Sequence, residues 1–158
     1  MAAAGLHPAD PACLLATWFG AGRLPRAPGT WGSLAALPFA AVLDWSGGAW
    51  LVLLAALAVF GLGVWASDRY MAAYRLHDPA AIVVDEVVGQ LLTLALLPLT
   101  PIAYLLGFLL FRVADMLKPW PAAWIDRTVA DAFGVMLDDV VAAIYAGALA
   151  LLLLSWLP

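Results

Sequence analysis

The chain has 158 residues, of which 66% are hydrophobic and only 11% charged, with eight Trp and a formal net charge of −4. A mean hydropathy of +0.98 excludes a soluble globular domain, and basic residues scattered singly exclude nucleic acid as a partner. About four to six helical spans of ~20 residues are all that this length allows, so the expectation is one membrane-embedded domain over residues 1–158 without a separate soluble part.

Pro8 and Pro11 interrupt the N-terminus and no Lys or Arg precedes Arg23, so it does not read as a secretory signal peptide. Residues 1–11 are expected to be flexible. Cys13 is the only cysteine; this excludes an internal disulfide, and its Ala-Cys-Leu-Leu setting suggests simple burial. The first apolar stretch, roughly Trp31 to Leu43, contains Pro38 and is expected to be short or kinked. The second runs from Ala49 to Ala66 and ends in Ser67-Asp68-Arg69. A third, from about Ala81 to Leu97, carries Asp85 and Glu86 in its first turns, and a fourth runs from Ile102 to about Leu117. The fifth is expected from about Asp139 to Leu157.

Pro98-Leu99-Thr100-Pro101 reads as a turn, because one helix over residues 81–117 would far exceed a bilayer and contain two prolines. The fold expected is therefore all-α: a polytopic helical bundle of about five membrane segments, some short or kinked. Alternating sides then place all seven Lys and Arg on one face, which the positive-inside rule makes cytoplasmic.

Four polar clusters share that face. In the first, Gly22 to Ser33, glycines permit close backbone approach while Thr30 and Ser33 offer hydroxyls at a helix start. Such a start receives phosphate well, and it is equally an ordinary loop and N-cap. The second is His77-Asp78-Pro79 followed by Asp85-Glu86 and, one turn on, Gln90. Paired carboxylates at a membrane surface need a cation, a proton or a donor; Mg²⁺ is the natural candidate, and complementation of the helix dipole is the plainer alternative. His77 reads as a solvated loop residue, and Asp78 is drawn toward the site only by its nearness to Asp85. The third cluster, Arg112, Asp115 and Lys118, has i, i+3 spacing suited either to gripping phosphate beside a metal ligand or to a structural ion pair. Asp126 and Arg127 follow in the same surface segment, as a possible pair with each other. The fourth is Gly134 to Leu137 followed by Asp138-Asp139, read as the entry to the last span. Carboxylates for Mg²⁺, cations for phosphate oxygens and access for water are together what metal-assisted phosphoryl hydrolysis requires.

Gly29-Thr30-Trp31-Gly32-Ser33, Ile82 to Gln90 around Asp85-Glu86, Phe111 to Pro121 and Gly134 to Asp139 resemble, in order, the motif set of the phosphatidylglycerophosphatase A family. The resemblance covers nearly the whole chain. It implies a bacterial inner-membrane lipid phosphatase, its site facing the cytoplasm, that hydrolyses the phospholipid phosphatidylglycerophosphate to phosphatidylglycerol and phosphate with Mg²⁺. Ala132-Phe133 and Ala142-Ala143 depart from the family pattern, which usually has a Gly pair and an Ala-Gly there; both changes bear on packing more than on ligands. On this reading Asp85, Glu86, Asp138 and Asp139 form the main metal-binding and catalytic group, with Asp115 the next ligand. Arg112 and Lys118 neutralise the phosphate, with Arg127 and the Thr30 to Ser33 turn as secondary contacts. Attack by a metal-activated water and a covalent aspartyl-phosphate are both compatible with the sequence. A divalent-cation or proton pathway is a different use of acidic pairs in a small bundle, disfavoured by Arg112 and Lys118, and a non-catalytic subunit of a lipid-synthesis complex is a third reading.

Overall fold

The computed structural model describes residues 5–156. Among them are seven α-helices and no strand: α1 (Pro11–Ala16), α2 (Pro28–Gly47), α3 (Ala49–Tyr74), α4 (Val84–Leu94), α5 (Pro101–Leu117), α6 (Ala122–Thr128) and α7 (Ala132–Leu154). Helices α3 and α7 are long and apolar enough to cross a membrane. The exposed surface carries many large apolar side chains, including Val42, Leu54, Leu105, Ile144 and Leu152. Trp45, Trp50 and Trp156 stand exposed at one end of the helices, and Trp31, Trp65, Trp120 and Trp124 toward the other. Outward apolar faces bounded by Trp match a lipid environment with two interfaces.

Four boundaries differ from the sequence expectation. Helix α2 is 20 residues long and runs through Pro38, so it is not short. A proline removes one intrahelical donor, a loss that helices packed among others tolerate. Helix α3 continues to Tyr74, two turns beyond Ala66. By contrast α4 has only 11 residues, or ~16 Å, less than the span expected over 81–97. The last helix begins at Ala132, where the Asp131 side chain accepts from the Gly134 N–H; Asp138 and Asp139 therefore lie in its second turn, not at its entry. The turn at Pro98 to Pro101 is as expected, with the Thr100 hydroxyl accepting from the Ala103 N–H to start α5.

Short α4 forms the centre. Val84, Val87, Val88, Gly89, Gln90, Leu91, Thr93 and Leu94 are all buried, and the helix packs against α2, α3, α5 and α7. A side chain at Gly89 would meet the Phe111 ring and lie 3.0 Å from the Asp139 carbonyl oxygen. Glycine there lets α4 approach α7 closely enough for their acidic residues to share one space.

The stretch 1–11, expected to be flexible, lies partly outside the described residues. Within them Tyr74 donates to the Leu6 carbonyl at 3.2 Å, and the Asp10 side chain caps α1. Buried Cys13 packs with Ala12, Ala16, Ala66 and Tyr70, and the Val83 N–H donates to the Ala16 carbonyl at 2.9 Å. That bond fixes the entry to α4. Helices α2 and α5 are tied near both ends, by Arg112 to Ser33 at 3.2 Å and by the Tyr104 hydroxyl to Asp44 at 3.3 Å.

Candidate active site

The acidic residues of α4 and α7 meet the end of α5 and the start of α2 around a cavity of about 430 Å³. Asp78, Asp85, Glu86, Asp115, Asp138 and Asp139 line it, against two cations, Arg112 and Lys118. Six carboxylates and two cations leave a strong excess of negative charge, which at low dielectric requires additional positive charge or protons.

The carboxylates divide by what already holds them. Oxygens of Asp85, Glu86 and Asp139 lie within 4.8 Å of one another. Asp85 Oδ1, Glu86 Oε2 and Asp139 Oδ2 are buried and have no hydrogen-bond partner. Asp138 is their opposite: its Oδ2 accepts from Lys118 Nζ at 2.6 Å and its Oδ1 from the Asp139 N–H at 3.0 Å. Asp115 is engaged as well, 2.8 Å from Arg112 Nη1.

Arg112 is fixed from several sides. Besides Asp115, its Nη1 lies 3.9 Å from Glu86 Oε1 and donates to fully buried Ser33. Its Nε is buried without a partner. Gly29, in the first turn of α2, completes the enclosure: a Cβ there would overlap Glu86 Oε1 and sit 3.3 Å from Arg112 Nη1. The backbone of α2 thus lies directly against the Glu86 carboxylate, a contact that only glycine permits without displacing it.

Lys118 follows α5 in the left-handed conformation, with φ of 44° and its N–H returned to the Ala114 carbonyl. Its ammonium bridges Asp138 and Asp126. Burial works to lower its pKa, but the bonds to Asp126 and Asp138 outweigh it and hold the ammonium above the ordinary lysine value. Asp126 therefore pairs with Lys118, correcting the expectation that it pairs with Arg127.

Of the residues expected in the site, Thr30, Asp85, Glu86, Arg112, Asp115, Lys118, Asp138 and Asp139 line one cavity. Ser33 lies behind it, touching Arg112. Arg127 is exposed on α6 and does not line the cavity. Asp78 does line it and His77 does not. Gln90 is fully buried with both amide atoms unpartnered, one helical turn deeper than Glu86. Gly29 and Asp126 are site neighbours that the sequence alone does not mark. Gly29 lies inside the Gly29 to Ser33 motif, whereas the seven residues between Lys118 and Asp126, broken by Pro119 and Pro121, carry no periodic signal. The departures at 133 and 142–143 serve packing: Phe133 meets Phe60 edge-on, and Ala142 and Ala143 pack with Phe111.

A metal fits the unpartnered triad by its chemistry. Three carboxylates converge, each with one buried oxygen otherwise unsatisfied, and hard oxygen ligands suit a hard divalent cation.

The family model for phosphatidylglycerophosphatase A matches residues 14–154. Phosphatidylglycerophosphatase A of Escherichia coli (strain K12) is 39% identical over 143 residues, covering 88% of this chain and 81% of the relative. Its counterpart in Haemophilus influenzae is 41% identical over 138 residues, covering 87% and 85%. A Bacteroides thetaiotaomicron protein, provisionally named a phosphatidylinositol-3-phosphatase, is 36% identical over 146 residues, covering 84% and 87%. No solved structure gives a significant match.

Proposed function

The chain belongs to the phosphatidylglycerophosphatase A family, phosphoric monoester hydrolases, and from that premise we propose that its acidic cavity hydrolyses phosphatidylglycerophosphate with Mg²⁺ at the cytoplasmic face of a bacterial inner membrane. Family membership sets aside the cation-pathway and non-catalytic readings. The observation that carries the site assignment is the set of three buried, unpartnered carboxylate oxygens of Asp85, Glu86 and Asp139 facing Arg112 and Lys118 across one cavity.

Asp85, Glu86 and Asp139 would hold the ion. When bound, Mg²⁺ offsets the excess negative charge, polarises the phosphoryl group and makes water a better nucleophile near neutral pH. Arg112 and Lys118 neutralise the non-bridging phosphate oxygens, with Thr30 at the rim as a further contact. Asp115 and Ser33 orient Arg112, and Asp138 orients Lys118. These three act through the cations they hold, and Asp115 lies outside the converging triad. Asp138, with both oxygens engaged, is poorly placed to attack phosphorus, which favours water over an aspartyl-phosphate at that residue. Arg127 is left for contacts outside the cavity, such as the lipid headgroup region.

Five segments crossing or entering the bilayer accord with the Trp positions and the boundaries of α2, α3, α5 and α7, with α4 and its flanking residues as the central segment. All seven basic residues then share the cytoplasmic side, and lipid tails remain in the bilayer while the headgroup reaches the cavity. The test is phosphate release from phosphatidylglycerophosphate by purified protein in detergent, with Mg²⁺ and then excess EDTA, alongside phosphatidic acid. Selective, Mg²⁺-dependent release is expected. Release unaffected by EDTA would remove the metal, and equal release from phosphatidic acid would remove the headgroup selectivity.

A further inference from the structure

We infer that Asp126, on the short helix α6, is a positioning residue that holds Lys118 for phosphate from outside the cavity. The inference rests on the phosphatase reading above. Lys118 lines the cavity, as does its partner Asp138, but Asp126 does not. The two carboxylates engage the same ammonium: Asp138, nearly buried, at 2.6 Å, and the more exposed Asp126 through its Oδ1.

A lysine side chain has four rotatable methylenes and loses considerable rotamer freedom when held in one place. Lys118 begins from a fixed backbone, in the left-handed conformation between α5 and Pro119, but its stem has no comparable restraint. With Asp138 alone, the ammonium would be free to swing about one bond or to reach out to water. The second bond removes that freedom. An ammonium has three N–H donors; two are taken by Asp126 and Asp138, and the third remains for a phosphate oxygen.

Helix α6 is itself held well enough to serve as an anchor. Ala122 and Ile125 are buried, and the Tyr145 hydroxyl of α7 donates to the Trp120 carbonyl at 2.9 Å. Asp126 is thus mounted on a segment fixed to the same helix that carries Asp138 and Asp139.

The test uses the full-length protein in detergent. Affinity for inorganic phosphate in the presence of Mg²⁺ is measured by calorimetry, and KM and kcat are measured on phosphatidylglycerophosphate, for wild type, Asp126→Asn, Asp126→Glu, Lys118→Met and the Asp126→Asn/Lys118→Met double variant. Asp126→Asn is expected to weaken phosphate binding and raise KM by about threefold to fivefold, the scale of a partly exposed charged pair. Asp126→Glu should recover part of the loss, and Asp126→Asn should add nothing once Lys118 is Met. Any of three results overturns the inference: unchanged phosphate affinity, tighter phosphate binding in Asp126→Asn, or an undiminished Asp126→Asn effect in the Lys118→Met background. Absence of phosphate binding to wild type would overturn it too. A wild type that binds phosphate but releases none from the lipid defeats the phosphatase reading instead, and the binding constants still decide the role of Asp126.

Discussion

Replacing Gly29 with alanine puts a methyl group where the Glu86 carboxylate now lies. The added Cβ overlaps Glu86 Oε1. An ordinary contact needs roughly 3.5 Å, so the Glu86 carboxyl carbon, 2.8 Å from that Cβ, must retreat by about 0.7 Å. Metal ligands tolerate displacements of only about 0.2 Å, so the triad loses the geometry of one member. Losses of metal affinity on disturbing a site's support are about 10–100-fold. The cost to the fold is of similar size: overpacking costs ~1–3 kcal/mol, against about 1.4–2.7 kcal/mol for a 10–100-fold loss of affinity. Gly29→Ala should therefore leave a folded protein with its thermal midpoint lowered by several degrees, about 2–4 °C per kcal/mol, while raising the Mg²⁺ concentration for half-maximal activity about 10–100-fold. Gly61→Ala is the control, since a Cβ there meets nothing within 4 Å; it should leave Mg²⁺ dependence unchanged. A folded Gly29→Ala protein with wild-type Mg²⁺ dependence would refute the placement of Glu86 in the metal site.

The adjacent aspartates should separate by assay. Asp139→Asn is expected to lose Mg²⁺ affinity by about 10–100-fold, whereas Asp138→Asn should keep the Mg²⁺ midpoint and raise KM by freeing Lys118; identical Mg²⁺ shifts in both would merge their roles. Mg²⁺ at about 100 times its Kd should stabilise the fold by ~2.7 kcal/mol, read as a thermal shift that EDTA reverses and Asp139→Asn abolishes; a wild type without the shift would argue against a resident ion. The raised pKa of Lys118 contributes stability that is complete below the ordinary lysine value of ~10.4 and is lost as pH rises through the folded-state value. The stability difference between wild type and Lys118→Met should accordingly not fall from about pH 7 to 9, because the variant leaves buried Asp138 without its cation, and a decline within that window in chemical denaturation would contradict the pairing.

Some of this architecture was legible because it depends on local chemistry. Thr100 between two prolines marks a stop and a cap, and α4 and α5 separate there. The i, i+3 spacing of Arg112 and Asp115 became a 2.8 Å ion pair. The start of α7 is hard to place from sequence because Asp131 and Gly134 are residue types common in loops, yet one caps the helix and the other is small enough for the Val129 carbonyl to press against it. Nothing in composition distinguishes Asp138 from Asp139. They are separated by about 100° of rotation on the helix, which turns one toward Lys118 and the other toward Asp85 and Glu86. Only the packing of α4 and α5 against α7 decides which direction holds which partner. Ser33, a candidate phosphate donor by sequence, lies beneath Arg112 because α2 and α5 are close neighbours, a non-local fact.

The dependence of the central helix on its neighbours bears on how the protein is made. A segment of 11 helical residues opening with two acids is poorly equipped to settle in lipid alone and needs the flanks of α2, α3, α5 and α7 to enclose it. The acids at 85 and 86 emerge before α5, but their third companion, Asp139, arrives only with α7. Until α7 docks, the nascent chain holds two of the three carboxylates proposed for the ion and a lysine without its inner partner. On the proposed assignment, chemical competence is tied to the insertion of α7, so a product lacking α7 would be inert toward the lipids around it.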